Sequence, residues 1–159
     1  MSKYRYHVQS GIISASLRLR YDDDPHVVIE IRNIEESEKE ELALCFSSYW
    51  LSDFVSVFTQ AHELAADASK WFWGKPANGR APMIRGSMNL HGAAIERLGE
   101  FKLKPDESTK ITFYTEDDNY WLENFTIPLP AMDNLKEVIK ALMTEMDATC
   151  INGKHGRNI

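Results

Sequence analysis

Alternating apolar and polar residues dominate the first third of the chain. Between residues 13 and 21 the apolar side chains occupy the odd positions and the polar ones the even positions, which is the period of a strand with one buried face. Residues 27–31 alternate again after a run of turn-forming residues, so the sequence predicts an antiparallel hairpin. Residues 4–8 suit a further strand ahead of it, and residues 42–50 predict a strand after it.

Two segments instead show the three- and four-residue spacing of an amphipathic helix. The first covers about residues 51–73, starting near Asp53, which suits the positive end of the helix dipole, and ending before Gly74. The second covers about residues 132–147 and follows Pro130. The apolar positions of these helices and of the later strands predict a core that includes Phe54, Phe58, Phe72, Ile111, Phe113, Leu135, Ile139 and Leu142.

The remaining segments complete an α+β pattern. Residues 83–90 alternate and predict a strand, and for residues 93–103 a strand is favoured over a short helix. Residues 110–115 and 120–127 predict a hairpin around a polar turn. This order predicts a two-layer sandwich in which a mainly antiparallel sheet packs against two helices. We expect one domain over 1–150 and a mobile tail over 151–159.

Composition narrows the classes of function. With 159 residues, a net charge of −6 and no apolar run near the length that spans a bilayer, we expect a cytoplasmic protein with no membrane partner. The negative charge argues against direct binding to nucleic acid, because that binding depends on clustered Lys and Arg. A basic protein is the expected partner.

Motifs for metals and cofactors are incomplete. His62 and Glu63 begin like a zinc-protease helix, but Ala66 stands where the second histidine ligand must be. Residues 74–81 have the glycine spacing of a phosphate-binding loop but lack its preceding strand and its Lys-Ser or Lys-Thr pair. We therefore expect no metal, no nucleotide and no other cofactor.

An enzymatic function would need a site assembled from distant residues. The candidates are polar side chains spread over different predicted elements, namely Cys45, His62, His91 and Glu96. A cysteine in an apolar strand is usually an inert small hydrophobe, so this alternative ranks second. A structural subunit that self-associates is a third interpretation.

Acidic turns and an aromatic cluster indicate a protein-binding surface. Three bulky aromatics at 71–73 cannot share one narrow helix face, which leaves Trp73 beside the following loop as a candidate interface anchor. Two acidic turns, together with the glutamate-rich residues 35–41, would steer a basic partner. The predicted partner-binding residues are Trp73, Asp22, Asp23, Asp24, Glu116, Asp117 and Asp118.

The order of elements carries one resemblance. A helix that ends in an aromatic cluster and Gly74, followed by a Trp-containing hairpin and a final helix, resembles small bacterial α+β domains and toxin-immunity proteins. The resemblance implies a non-catalytic, stoichiometric inhibitor of a toxin or nucleic-acid enzyme. It assigns no role to any particular residue.

Overall fold

The computed structural model describes most of the chain as strands and helices. The described residues are 2–20, 26–36, 43–67, 78–81, 83–98, 109–116 and 122–153. The chain separates into two compact units, one formed by Met1–Leu51 with Asp133–Ile159 and the other by Ser52–Met132. The prediction of one domain over 1–150 stays a prediction beside this division.

The first unit contains a four-stranded antiparallel sheet whose strands follow their order in the chain. Its strands are β1 (Ser2–Ser10), β2 (Ile13–Arg20), β3 (His26–Asn33) and β4 (Ala43–Ser47). Short 3₁₀ helices follow β3 at Ile34–Glu36 and β4 at Ser48–Trp50.

Alternation along the strands of this sheet produces its buried face. Leu17 of β2 lies opposite Ile29 of β3, which lies opposite Phe46 of β4, and all three are buried. Because cross-strand partners share a face, the even-numbered residues of β2 lie on the opposite face of the sheet. The predicted hairpin over β2 and β3 is confirmed.

The second unit begins with a helix and continues with a second antiparallel sheet. Its elements are α1 (Leu51–Ala66, with Leu51 assigned to the first unit), β5 (Asn78–Arg80), β6 (Ile84–Arg85), β7 (His91–Leu98), β8 (Thr109–Glu116) and β9 (Leu122–Pro128). The strand order is β5-β7-β8-β9, and β6 also pairs with β7. The Phe54 ring of α1 lies 5.5 Å from the Phe113 ring of β8, so the helix covers one face of this sheet.

The last helix, α2 (Ala131–Gly153), starts at the end of the second unit and belongs to the first from Asp133 onward. Asn134 donates a hydrogen bond from Nδ2 to Ser10 Oγ at 3.0 Å. The same side chain lies against Gly11, which has a φ of +57°, a conformation that glycine adopts without strain. The start of α2 is thereby held at the turn between β1 and β2.

The α+β class with antiparallel strands and two helices is confirmed, and each unit combines one sheet with one helix. The single predicted sheet is in fact two sheets. Helix α2 extends to Gly153, so the first three residues of the predicted tail are helical, and residues 154–159 lie outside the described part. The predicted core residues are buried in one unit or the other, except Phe72, which lies outside the described residues.

One predicted strand is wrong in most of its length. Alternation over residues 83–90 predicted a strand, but β6 covers only Ile84–Arg85, and residues 87–90 form a turn. The physical reason is tertiary, because the Asp53 carboxylate of α1 accepts hydrogen bonds from the backbone N–H groups of residues 88, 90 and 91. The prediction of a strand in residues 93–103 is confirmed by β7 as far as Leu98, and residues 99–103 lie outside the described residues.

Within the described residues, no helix has both the length and the apolar character needed to cross a membrane.

Candidate functional site

A buried carboxylate at the start of α1 organises the turn between β6 and β7. Asp53 is completely buried and accepts hydrogen bonds from the backbone N–H groups of Met88 at 2.6 Å, Leu90 at 3.2 Å and His91 at 3.1 Å. The Ser87 hydroxyl lies 3.5 Å from the same carboxylate. Asp53 lies in the first turn of α1, where the helix dipole favours negative charge. These bonds replace the ladder that would have continued the strand.

His91 completes this arrangement from the first position of β7. Its Nδ1 lies 2.8 Å from Asp53 Oδ2, and neither side chain is exposed to solvent. The imidazole packs edge-on against the Phe54 ring, with the ring centroids 5.8 Å apart. The pair is therefore enclosed by the core of the second unit.

Burial and hydrogen bonding set the charges of the two groups. Burial lowers the pKa of His91 below its usual value, and the opposing effect of the Asp53 carboxylate does not compensate for it. Burial alone would raise the pKa of Asp53, but the Met88 N–H and His91 outweigh it, so this pKa lies below its usual value. At neutral pH the Asp53 carboxylate is therefore ionised and the His91 imidazole is neutral. The carboxylate accepts a hydrogen bond from His91 Nδ1–H.

An aspartate that orients a histidine is also the arrangement of many general bases. A general base must come within hydrogen-bond distance of the proton that it removes. Here the His91 side chain is fully enclosed, and the Asp53 carboxylate already accepts hydrogen bonds from the backbone N–H groups of residues 88, 90 and 91. The pair consequently fixes the local chain path and offers no access to a substrate.

The segment held by Asp53 presents apolar side chains to solvent. Met88 is 52% exposed although its N–H is bound to a buried carboxylate, and Met83, just before β6, is 61% exposed. Gly86 lies under the same carboxylate, where a Cβ would come 2.7 Å from Asp53 Cγ. Asn89 has a φ of +62° and donates its N–H to the Gly86 carbonyl, closing the turn. We call the segment 83–91 the methionine hairpin.

The predicted partner-binding residues remain untested. Trp73, residues 22–24, Asp117 and Asp118 lie outside the described residues, and Glu116 is the last residue of β8, with a side chain that is not described. Their role in binding stays a prediction.

The residues of the enzymatic alternative lie on different elements. Cys45 lies in β4 of the first unit, whereas His62, His91 and Glu96 belong to the second. Glu96 is five residues from His91 on β7, so the two side chains lie on opposite faces of the sheet. The His62 ring packs on Phe58 of its own helix, at 5.5 Å between centroids. His91 has a carboxylate within hydrogen-bond distance, and that carboxylate is Asp53.

Sequence reasoning identified Asp53 only as a residue suited to the positive end of a helix, and it found no partner for His91. The two residues are separated by 38 positions. No local pattern links an aspartate in a helix to a histidine at the start of a strand at such a distance. The alternation of residues 83–90 predicted a strand, so the turn at residues 87–90 was not predicted.

Over the described parts of the chain, no group of three or more His, Cys, Asp or Glu side chains is arranged to hold a metal ion.

No protein-family model and no curated protein matches the sequence. The class of the protein is thus defined by its α+β fold.

Proposed function

We propose that this chain is a non-catalytic protein-binding domain whose binding surface includes the methionine hairpin. The observation that carries the proposal is the contrast at Met88, whose backbone is bound to Asp53 at 2.6 Å while its side chain is about half exposed. Methionine is enriched at protein interfaces, where its flexible thioether adapts to a partner. A hairpin that is already ordered loses less conformational entropy on binding.

Charge supports a basic protein as the partner. The chain carries a net charge of −6, and its acidic runs include residues 22–24, 35–41 and 116–118. Such charges accelerate the encounter with a basic surface, while apolar anchors slow dissociation. The finer proposal is an immunity-type or other stoichiometric inhibitor of a toxin or nucleic-acid enzyme, acting in the cytoplasm and not contacting nucleic acid directly.

The burial of His91 argues against an enzymatic function that uses this side chain as a general base. His91 has the aspartate partner that a catalytic histidine needs, yet its side chain is enclosed. An enzyme would have to use a different group.

Self-association is the other alternative, and sedimentation of the purified protein over a range of concentrations separates it from binding to a foreign partner.

The test begins with affinity capture from the native cell and proceeds to binding kinetics with the purified partner. Met88→Ala and Met83→Ala should raise the dissociation rate about tenfold, because a truncated interface anchor typically costs more than about 1 kcal/mol. Met143→Ala is the matched control, since Met143 lies on α2 and is 45% exposed. Its dissociation rate should equal that of the parent.

The acidic residues and Trp73 are tested with the same partner. Neutralising Glu116, Asp117 and Asp118 together should slow association at low salt, and the difference should disappear as salt screens the charges. Trp73→Ala should raise the dissociation rate. Equal dissociation rates for the parent and both hairpin variants would remove the methionine hairpin from the interface.

A further inference from the structure

The outer face of the first sheet concentrates cationic side chains in a chain of negative net charge. Arg5 of β1 lies directly opposite Arg18 of β2, and both belong to the face opposite the buried Leu17. Arg5 is exposed and Arg18 is half-buried. Arg32 of β3 lies on the same face, one strand further along the sheet.

The Arg5–Arg18 pair is unfavourable for the fold by itself. Like charges directly opposite each other on neighbouring strands are destabilising, at Cβ separations of about 4.5–5.5 Å. Within the part of the chain that the structure describes, neither guanidinium makes an ion pair. An anion placed between the two side chains would convert this repulsion into attraction.

Hydrogen-bond donors lie beside the arginines. A pocket of about 80 Å³ opens on this face and is lined by His7, Ser14, Ala15, Ser16, Glu30 and Arg32. His7 and Ser16 form the cross-strand pair that follows Arg5 and Arg18 on this face. Glu30 is the acidic residue of this lining, and its Oε1 accepts bonds from Arg32 at 3.1 and 3.2 Å. The negative charge in the pocket is therefore already paired, and the hydroxyls of Ser14 and Ser16 remain as additional polar groups.

We propose that this surface, called the arginine face, binds a ligand that carries an oxyanion group, either phosphate or carboxylate. Arg5 and Arg18 would hold the charge, since the planar guanidinium matches both groups with paired N–H donors. The hydroxyls of Ser14 and Ser16 and the ring of His7 would bond the adjacent part of the ligand. The arginine face is defined by Arg5, His7, Ser14, Ser16, Arg18, Glu30 and Arg32.

Calorimetric titration with pyrophosphate and with citrate tests the proposal. Both titrations are made at a fixed ionic strength set with sodium chloride, so that general screening is constant. The parent should bind at least one anion saturably with one ligand per chain, and the preferred anion distinguishes phosphate from carboxylate. Absence of saturable binding to both anions would overturn the proposal.

Single variants locate the site. Arg5→Gln and Arg18→Gln should each weaken binding at least about tenfold, the value of one lost hydrogen bond to a charged group. Lys140→Gln is the control, because Lys140 is an exposed cation on α2 of the same unit, and it should bind like the parent. Equal affinities for all three variants would mean that only net charge matters, and the arginine face would be excluded.

Stability without the anion provides a second readout. In dilute chloride buffer, Arg5→Gln should unfold at the same urea concentration as the parent or at a higher one, because the variant removes the repulsion with Arg18. A marked loss of stability would show that Arg5 serves the fold, and the argument for a ligand would fail.

Discussion

The two units have similar elements but place their polar chemistry differently. In the first unit, arginines and hydroxyls lie on the outer face of a sheet whose other face is apolar. In the second, the hydrogen-bonded side chains of Asp53 and His91 lie inside the core. Burial decides how each set is used, because a buried polar group must find partners within the protein, whereas a surface group can exchange them for a ligand.

A hydrogen bond between histidine and aspartate does not by itself indicate a catalytic site. A short bond between them, 2.8 Å here, attracts a catalytic interpretation. The same carboxylate, however, accepts three backbone N–H bonds, so its removal would leave several buried donors without an acceptor. The pair is best understood as the clamp that allows the methionine hairpin to be both exposed and ordered.

The largest effect is expected when that clamp is broken. Asp53→Asn should lower the free energy of unfolding by about 3–5 kcal/mol, because an amide group then faces donors that require a carboxylate. Asp133→Asn is the matched control, since Asp133 occupies the first turn of α2 and is exposed, and it should cost about 0.3–1 kcal/mol. Urea unfolding measures both. Equal losses would show that the buried clamp is no stronger than a surface helix charge.

A smaller effect is expected on the outer face of the second sheet. Gly92 leaves room for the ring of Tyr114 on the neighbouring strand, and a Cβ at this position would overlap the phenol. Gly92→Ala should therefore cost about 1–3 kcal/mol, as overpacked positions generally do. In a Tyr114→Ala background the same substitution should be nearly neutral. If its cost were unchanged there, the close approach of the ring would not be the cause.

Acidification should weaken the second unit through His91. The pKa of His91 is lowered in the folded protein, so the unfolded chain binds a proton first, and stability falls as the pH drops below about 6.5. The slope reaches at most about 1.4 kcal/mol per pH unit for one proton. Urea midpoints at several pH values between 7.5 and 4.5 measure it. The lowered pKa of Asp53 adds a further loss below its usual value of 3.8.

Two histidine variants isolate this effect. His91→Gln should flatten the dependence between pH 7 and 5, whereas His7→Gln, at an exposed position of the first sheet, should leave the His91 contribution intact. A rise in stability on acidification would contradict the expected sign. It would mean that attraction between the imidazolium and Asp53 exceeds the cost of burying the charge.

The smallest effect is expected for the ion pair on the arginine face. Glu30 and Arg32 lie 3.1 Å apart, with side chains 26% and 28% exposed. A double-mutant cycle with Glu30→Gln and Arg32→Gln should yield a coupling of about 0.2–1 kcal/mol that decreases in high salt, as for other exposed pairs. The same cycle on Asp53 and His91 should yield a larger coupling with little salt dependence. Similar couplings would remove the energetic contrast between the two units.

Strands and helices were predictable from the sequence where the spacing of neighbouring residues determines them. Alternation identified β2 and β3, and three- and four-residue spacing identified both helices, because these periods follow from backbone geometry alone. Strand-favouring residues identified β8. The same reasoning extended a strand through residues 86–90, where alternation occurs without a ladder. It also merged the strands into one sheet, because alternation indicates which side chains are buried but not which strands pair.

The sequence by itself determined the α+β class, the core-facing positions of most strands and helices, and the acidic character of the chain. Tertiary structure alone decided that Asp53 meets His91 across 38 residues, that Met88 is held in place while exposed, and that Arg5 faces Arg18. The physical reason is that periodicity acts between neighbours a few residues apart. Hydrogen bonds, burial and charge act between groups that only the folded chain brings together.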